Sequence, residues 1–146
     1  MKKILMIATG GTIASAPTEN GLAPQLRPED LLYYIPDAKN ICDIETLQLF
    51  NLDSTNITPE HWLMIAKAVE DNYDKYDGFV IAHGTDTLAY TASALSYLIQ
   101  NTKKPIVLTG AQKSIAEDST DAKTNLLDSL RFAVSEESGV VIVFGG

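Results

Sequence analysis

Apolar residues fall along this chain in two alternating rhythms. Short continuous runs, Ile4-Leu5-Met6-Ile7-Ala8, Phe79-Val80-Ile81-Ala82, Ile106-Val107-Leu108 and Val140-Val141-Ile142-Val143, are separated by longer stretches of helical spacing. Runs of that length bounded by glycine or proline predict strands, and the absence of polar alternation within them predicts cover on both faces. Strands are expected near residues 3–8, 46–52, 78–83, 105–109 and 139–144, with helices over 28–35, 59–76, 87–100 and 120–135. In the second helix Trp62, Ile65, Ala66, Val69 and Tyr73 share one face, and Thr58-Pro59-Glu60 supplies an N-cap, an N1 proline and a first-turn acid. Leu88, Ala92, Leu95 and Ile99 form the matching stripe of the third. Both stripes read as core. The alternation predicts an α/β fold, a doubly wound, mainly parallel sheet with helices on both faces.

One stretch breaks the rhythm. Ser15 to Arg27 holds Pro17, Asn20, Gly21 and Pro24 without periodicity, so a polar loop is expected there, placed as a lid beside whatever the preceding turn binds. That preceding turn, Thr9-Gly10-Gly11-Thr12-Ile13-Ala14, closes the first apolar run, and His83-Gly84-Thr85-Asp86-Thr87 closes the third. Each is a polar, glycine-bearing turn where a strand hands over to the next element. Ligands of open α/β sheets bind at that carboxyl edge, because helix N-termini there present unpaired N–H groups and partial positive charge. Two such turns on one edge line one pocket.

Composition narrows the classes. At 146 residues the chain can bury roughly 68–70% of the surface its unfolded state exposes, enough for one core without staples. The lone Cys42 has no partner for an internal disulfide and is expected as a small buried residue, which suits a reducing, cytoplasmic compartment. Met1-Lys2-Lys3 precedes an apolar stretch that stops after five residues, short of the ~7–15 a secretion signal needs. No run approaches the ~18 apolar residues of a membrane span, so no membrane partner is expected. A formal charge of −8 argues against nucleic acid, which wants a basic face. His61, His83 and Cys42 show no metal-ligand spacing, so neither metal nor cofactor is implied, and His83 is expected as a structural, hydrogen-bonded histidine at its strand end.

The turns offer chemistry. Gly10 and Gly11 clear side-chain bulk from around Thr12, letting a carbonyl approach its hydroxyl and backbone N–H groups. Taken alone, each candidate also has a plainer reading. Thr12 can cap a turn, Thr85 and Asp86 can be an N-cap pair, and Asp53-Ser54-Thr55 can be a polar loop closing before Thr58.

Three motifs in order, Thr9-Gly10-Gly11-Thr12-Ile13-Ala14, Asp53-Ser54-Thr55 and His83-Gly84-Thr85-Asp86-Thr87, together resemble a bacterial-type L-asparaginase of the cytoplasmic, type I branch, over the whole chain. That resemblance implies an amidohydrolase converting L-asparagine to L-aspartate and ammonia through a threonine-linked acyl-enzyme. It assigns Thr12 as nucleophile, Thr85 as second catalytic threonine and Asp86 as holder of the substrate α-ammonium. It assigns Gly11, Asp53, Ser54, Thr55, Gly84 and Ala111 to substrate binding, Ala111 and Gln112 as pocket wall. Family members carry an activating tyrosine on the loop after Thr12; Leu22 stands near that place here, with Tyr33 and Tyr34 further on. The family's catalytic lysine lies shortly beyond Gly146, and a smaller C-terminal domain and a neighbouring subunit complete its site. Residues 1–146 are thus expected to be an N-terminal asparaginase-like domain, truncated at its C-terminal end, of a protein that is a homodimer or homotetramer at full length. Two other readings stay open: a non-catalytic amino-acid-binding or assembly module, and an amidase subunit acting on glutaminyl or glutamyl adducts of tRNA, which the acidic balance disfavours.

Overall fold

The computed structural model describes residues 1–146. Five strands form one parallel sheet: β1 (Lys3–Gly10), β4 (Asp43–Leu52), β5 (Gly78–Ala82), β6 (Pro105–Thr109) and β7 (Gly139–Ile142), in the order β4-β1-β5-β6-β7. A separate antiparallel hairpin consists of β2 (Ser15–Thr18) and β3 (Gly21–Pro24). Four α-helices connect and cover the sheet: α1 (Pro28–Tyr33), α2 (Pro59–Asn72), α3 (Leu88–Leu98) and α4 (Ala122–Ala133).

The period of two along each strand decides the layers. Ile4, Met6, Val80, Ala82 and Val107 point to one face, where Leu31 of α1 and Leu126, Leu130 and Ala133 of α4 close over them. Leu5, Ile7, Phe79, Ile81, Ile106 and Leu108 point to the other, against Ile65, Ala68 and Val69 of α2 and Leu88 and Leu95 of α3. Both faces are covered, as the continuous apolar runs require. Trp62, only half-buried, spends its indole N–H on Thr91 Oγ1 at 2.9 Å. Cys42 is buried, and burial pushes its thiol up to about 11.

Several expected boundaries move. The stretch 15–27 is no open loop: it folds into the hairpin β2–β3, with Gly21 at φ 103° and Thr18 Oγ1 bonded across the turn to Gly21 O. Strands of four residues carrying Pro17 and Pro24 have no room to show a period. The strand expected from 46 begins at Asp43, because Lys3 and Asp43 pair in register. The helix expected over 28–35 stops at Tyr33, and a 3-10 segment, Pro36–Asn40, follows. The helix expected to 76 ends at Asn72, with Tyr73–Lys75 tightening into a 3-10 turn under Lys104, whose ammonium donates to Tyr73 O and to Tyr76 O.

The strand order positions the site. From β1 the chain passes to β4 on one side and then crosses to β5 on the other, so β1 and β5 flank a topological switch point. Crevices form at the carboxyl ends of such a strand pair. Those ends are Gly10-Gly11-Thr12 and His83-Gly84-Thr85-Asp86.

Candidate active site at the sheet switch point

Gly11 leaves β1 with φ 84° and ψ 177°, and its amide donates to Leu52 O at 2.9 Å, tying the exit of β1 to that of β4. A Cβ built on Gly11 would lie 2.5 Å from both Cα and N of Gly84, so the two turns touch backbone to backbone. In the same way, a Cβ on Gly84 would strike Ser54 Cβ, and one on Gly110 would strike His83 O. Four strand exits therefore interlock. With successive Cα atoms ~3.8 Å apart, the contact between Gly11 and Gly84 holds Thr12 and Thr85 within about 12 Å of each other.

Thr12 opens a single 3-10 turn, Thr12–Ala14, is half-buried, and caps nothing with its hydroxyl. Thr85 is likewise half-buried. The N-cap of α3 is Thr87, not Thr85 or Asp86, and Thr85 contributes to the helix start only through its carbonyl, which accepts from Leu88 N at 3.4 Å. The plainer reading of Thr85 and Asp86 as capping side chains is thus not what the chain builds. The Asp86 side chain is exposed, while its amide donates to Ser54 Oγ at 3.1 Å. Thr87 Oγ1 donates to Ser54 O at 2.9 Å, so buried Ser54 clamps the β4 exit to the β5 exit. The amides of Gly84 and Thr85 donate to no group of the chain, which leaves two N–H donors on the turn.

Asp53 and Thr55 divide differently. Asp53 Oδ1 accepts from both the amide and the hydroxyl of Thr55, each at 3.0 Å, capping the short turn Ser54–Asn56. Here the plainer reading is realised, with one carboxylate oxygen spent locally. Ala111 is only 1% exposed and packs into the core cluster with the apolar face of α4, so its methyl group does not line the surface of the turn. Gln112 is exposed.

His83 is fully buried and burial lowers its pKa, so the ring is neutral. Its Nδ1 lies 2.7 Å from Gly84 O, an acceptor only, and therefore carries the proton. Its Nε2, 3.0 Å from Thr91 Oγ1, then accepts from that hydroxyl, which itself accepts from Trp62. The histidine is structural, as its position at the strand end predicts.

Two residues escaped the sequence reading. Asp121 accepts from the amides of Gln112 and Lys113, at 2.9 Å and 3.1 Å, and Asn125, one helical turn on, donates to Gly110 O at 2.9 Å and accepts from Gly145 N at 3.0 Å. They hold the β6 exit against α4. The i, i+4 spacing of two amide-binding side chains at a helix start was the available signal. The largest cleft, about 540 Å³, lies elsewhere, lined mainly by apolar residues including Leu32, Ile35, Cys42 and Ile44, away from these turns.

An open parallel sheet with hydroxyls and free amides at its switch point defines a doubly wound α/β domain. A family model described as asparaginase, N-terminal, matches residues 3–146, and the chain belongs to that family. It is 48% identical over 143 residues to the L-asparaginase of Thermococcus kodakarensis, covering 97% of this chain and 44% of that protein, whose solved structure superposes with a TM-score of 0.90. A glutamyl-tRNA(Gln) amidotransferase subunit of Pyrococcus abyssi is 41% identical over 149 residues, covering 100% of this chain and 34% of that one. The crystal structure of L-asparaginase I from Vibrio cholerae, 37% identical, superposes with a TM-score of 0.89 over 99% of this chain and 44% of that one. The chain therefore spans less than half the length of these relatives.

Proposed function

We propose that this domain supplies the nucleophile half of an L-asparaginase site. Thr12 Oγ attacks the side-chain amide carbon of L-asparagine and the amide nitrogen leaves as ammonia. Water then hydrolyses the threonine ester to L-aspartate. The unpaired N–H groups of Gly84 and Thr85 serve the oxyanion, a kind of donor that contributes on the order of 10²–10³ in rate each. Thr85 supports the proton relay, Asp86 holds the α-ammonium, and the Asp53-Ser54-Thr55 turn as a whole lies on the side of the α-carboxylate. The full-length protein works as a cytoplasmic homo-oligomer, a longer C-terminal part completing the relay.

The observation that supports the reading is the contact of Gly11 with Gly84, which brings together two turns whose threonine hydroxyls have no partner within the chain. The likeness to the glutamyl-tRNA(Gln) amidotransferase chain supports a second reading, the same amide chemistry on a glutamyl-tRNA-linked substrate. The test is ammonia release from L-asparagine by the full-length wild-type protein and by its Thr12→Ala variant. A loss of about 10³-fold or more with unchanged circular dichroism is expected, because the covalent step is deleted with little buried surface. Near-normal turnover by Thr12→Ala would move the nucleophile to Thr85. A folded full-length wild-type protein without turnover favours the binding module.

A further inference from the structure

We propose that Asn20-Gly21 is a site of spontaneous deamidation, a covalent modification that converts the tip of the hairpin from neutral to acidic. The chain has seven asparagines, and only Asn20 is followed by glycine; the others precede Ile41, Leu52, Ile57, Tyr73, Thr102 and Leu126. A side chain on the following residue shields the backbone nitrogen that must attack. Glycine does not.

The structure adds what the dipeptide alone does not give. Asn20 and Gly21 are both exposed, and a Cβ built on Gly21 meets nothing within 4 Å, so space for ring closure is open. Among its polar groups only the Asn20 amide is engaged, donating to Thr18 Oγ1 at 3.2 Å; the carboxamide makes no bond. The hairpin is held at its base and free at its tip. Gln25 N and Leu26 N donate to Ala14 O, Asn51 Nδ2 to Pro24 O and Ser114 Oγ to Ser15 O. Leu22, beside the tip, is 63% exposed and anchors nothing. Ring closure requires Asn20 to leave its turn conformation, and a two-stranded ribbon of four residue pairs opens readily at its free end.

The reaction needs only water. Gly21 N forms a bond to Asn20 Cγ, the Cγ–NH₂ bond breaks, and that nitrogen leaves as ammonia carrying the proton from Gly21 N. Water then opens the five-membered succinimide at either carbonyl, giving aspartate or isoaspartate. The formal charge of −8 becomes −9, on the arm that emerges from the Thr12 turn.

The experiment incubates the 146-residue protein at mildly alkaline pH and 37 °C, with Asn20→Gln and a free peptide of residues 15–26 alongside. Peptide mapping follows the gain of about 1 Da, and isoaspartate is assayed separately. The gain should appear at Asn20 at least about tenfold sooner than at any other asparagine, since only Gly21 leaves the attacking nitrogen unshielded. Asn20→Gln should lack it. Ammonia released this way stops at one equivalent per chain, which separates it from turnover of added asparagine, so it stands or falls apart from the proposed function. An unchanged Asn20 in the folded protein after the free peptide has converted would overturn the proposal, as would earlier conversion at another asparagine.

Discussion

Replacing Gly11 by alanine tests the contact on which the crevice rests. Two costs arise at this position. The first is conformational: φ is 84°, in the left-handed region, where an L side chain costs roughly 1–2 kcal/mol. The second is steric. The new Cβ would lie 2.5 Å from Gly84 Cα and N and 2.9 Å from His83 C, all backbone, and forcing atoms into a packed site costs typically ~1–3 kcal/mol. Together these come to about 2–5 kcal/mol, a large share of the ~5–15 kcal/mol that holds a domain folded. At roughly 3–4 °C per kcal/mol for a chain of this size, the melting point should fall by on the order of 10 °C. Gly21→Ala is the control, because φ is 103° yet nothing lies within 4 Å of its Cβ, so only the conformational cost applies. Urea unfolding of both variants, read at a common slope, isolates the difference. If Gly11→Ala costs no more than Gly21→Ala, the β1 and β5 turns do not touch as described, and the pairing of Thr12 with Thr85 loses its basis.

Three further outcomes follow from named contacts. Leu95→Ala, at a fully buried site between α3 and the sheet, should cost about 2–5 kcal/mol in urea unfolding. The folded pKa of His83 lies below its ordinary 6.5, so on acidification the unfolded chain takes up that proton first. Stability from this group is therefore complete above about pH 6.5 and declines as the pH falls below it, and His83→Gln should flatten that part of the urea midpoint against pH. Ser54→Ala removes the acceptor of the Asp86 amide and keeps the Cβ that packs on Gly84. Asp86 is exposed and its amide can turn to water, so stability should drop by only ~0.5–1.5 kcal/mol while calorimetry shows weaker aspartate binding; unchanged affinity would deny the clamp a part in the site.

The legible parts of the fold are those where one face decides the residue type. Phe79-Val80-Ile81-Ala82 and Ile106-Val107-Leu108 are apolar on every position because helices cover both sides, and their shortness after Gly78 and Pro105 separates them from a buried helix. At the sheet edge the signal fades. β4 exposes Glu45, Gln48 and Asn51, so its first residues, Asp43-Ile44-Glu45, carry no apolar run, and only pairing with β1 recruits them. The hairpin β2–β3 was hidden by its prolines, although Asn20-Gly21 marked its turn. At the candidate site, the turns single out Thr12, Thr85 and Asp86, since glycine and hydroxyls at a strand exit are local features, while their proposed roles rest on the family resemblance. Ala111 is expected at the pocket wall, but whether its methyl faces the wall or the core depends on tertiary packing, which local sequence does not reveal. Asp121 and Asn125 stayed unnoticed for the same reason: their partners, Gln112, Lys113, Gly110 and Gly145, are gathered only by the tertiary fold.

The hydroxyls along the carboxyl edge divide into scaffold and candidate chemistry. Thr9 Oγ1 donates to Ala82 O at 2.8 Å, Ser54 Oγ receives the Asp86 amide, Thr87 Oγ1 donates to Ser54 O and Thr91 Oγ1 links Trp62 to His83. Each joins two different elements, and each is committed. A hydroxyl in such a place adds a bond between two polar strand exits and so lowers the cost of bringing them together. Thr12 and Thr85 sit among these residues, half-buried and without a bond of their own. A valine at either position would keep the shape and lose no internal hydrogen bond, so stability alone does not account for a threonine there. Thr109, by contrast, is fully buried, so its unpaired hydroxyl is closed off from a ligand in the crevice. The combination of a free hydroxyl and partial exposure sets Thr12 and Thr85 apart from these scaffold residues, as the proposed roles require, and it gives a sharp expectation. Thr12→Val and Thr85→Val should fold with stabilities near wild type in urea, where Thr9→Val should lose about 0.5–1.5 kcal/mol with the buried bond from its hydroxyl to Ala82 O. Equal losses at all three would mean that the hydroxyls of Thr12 and Thr85 are structural after all.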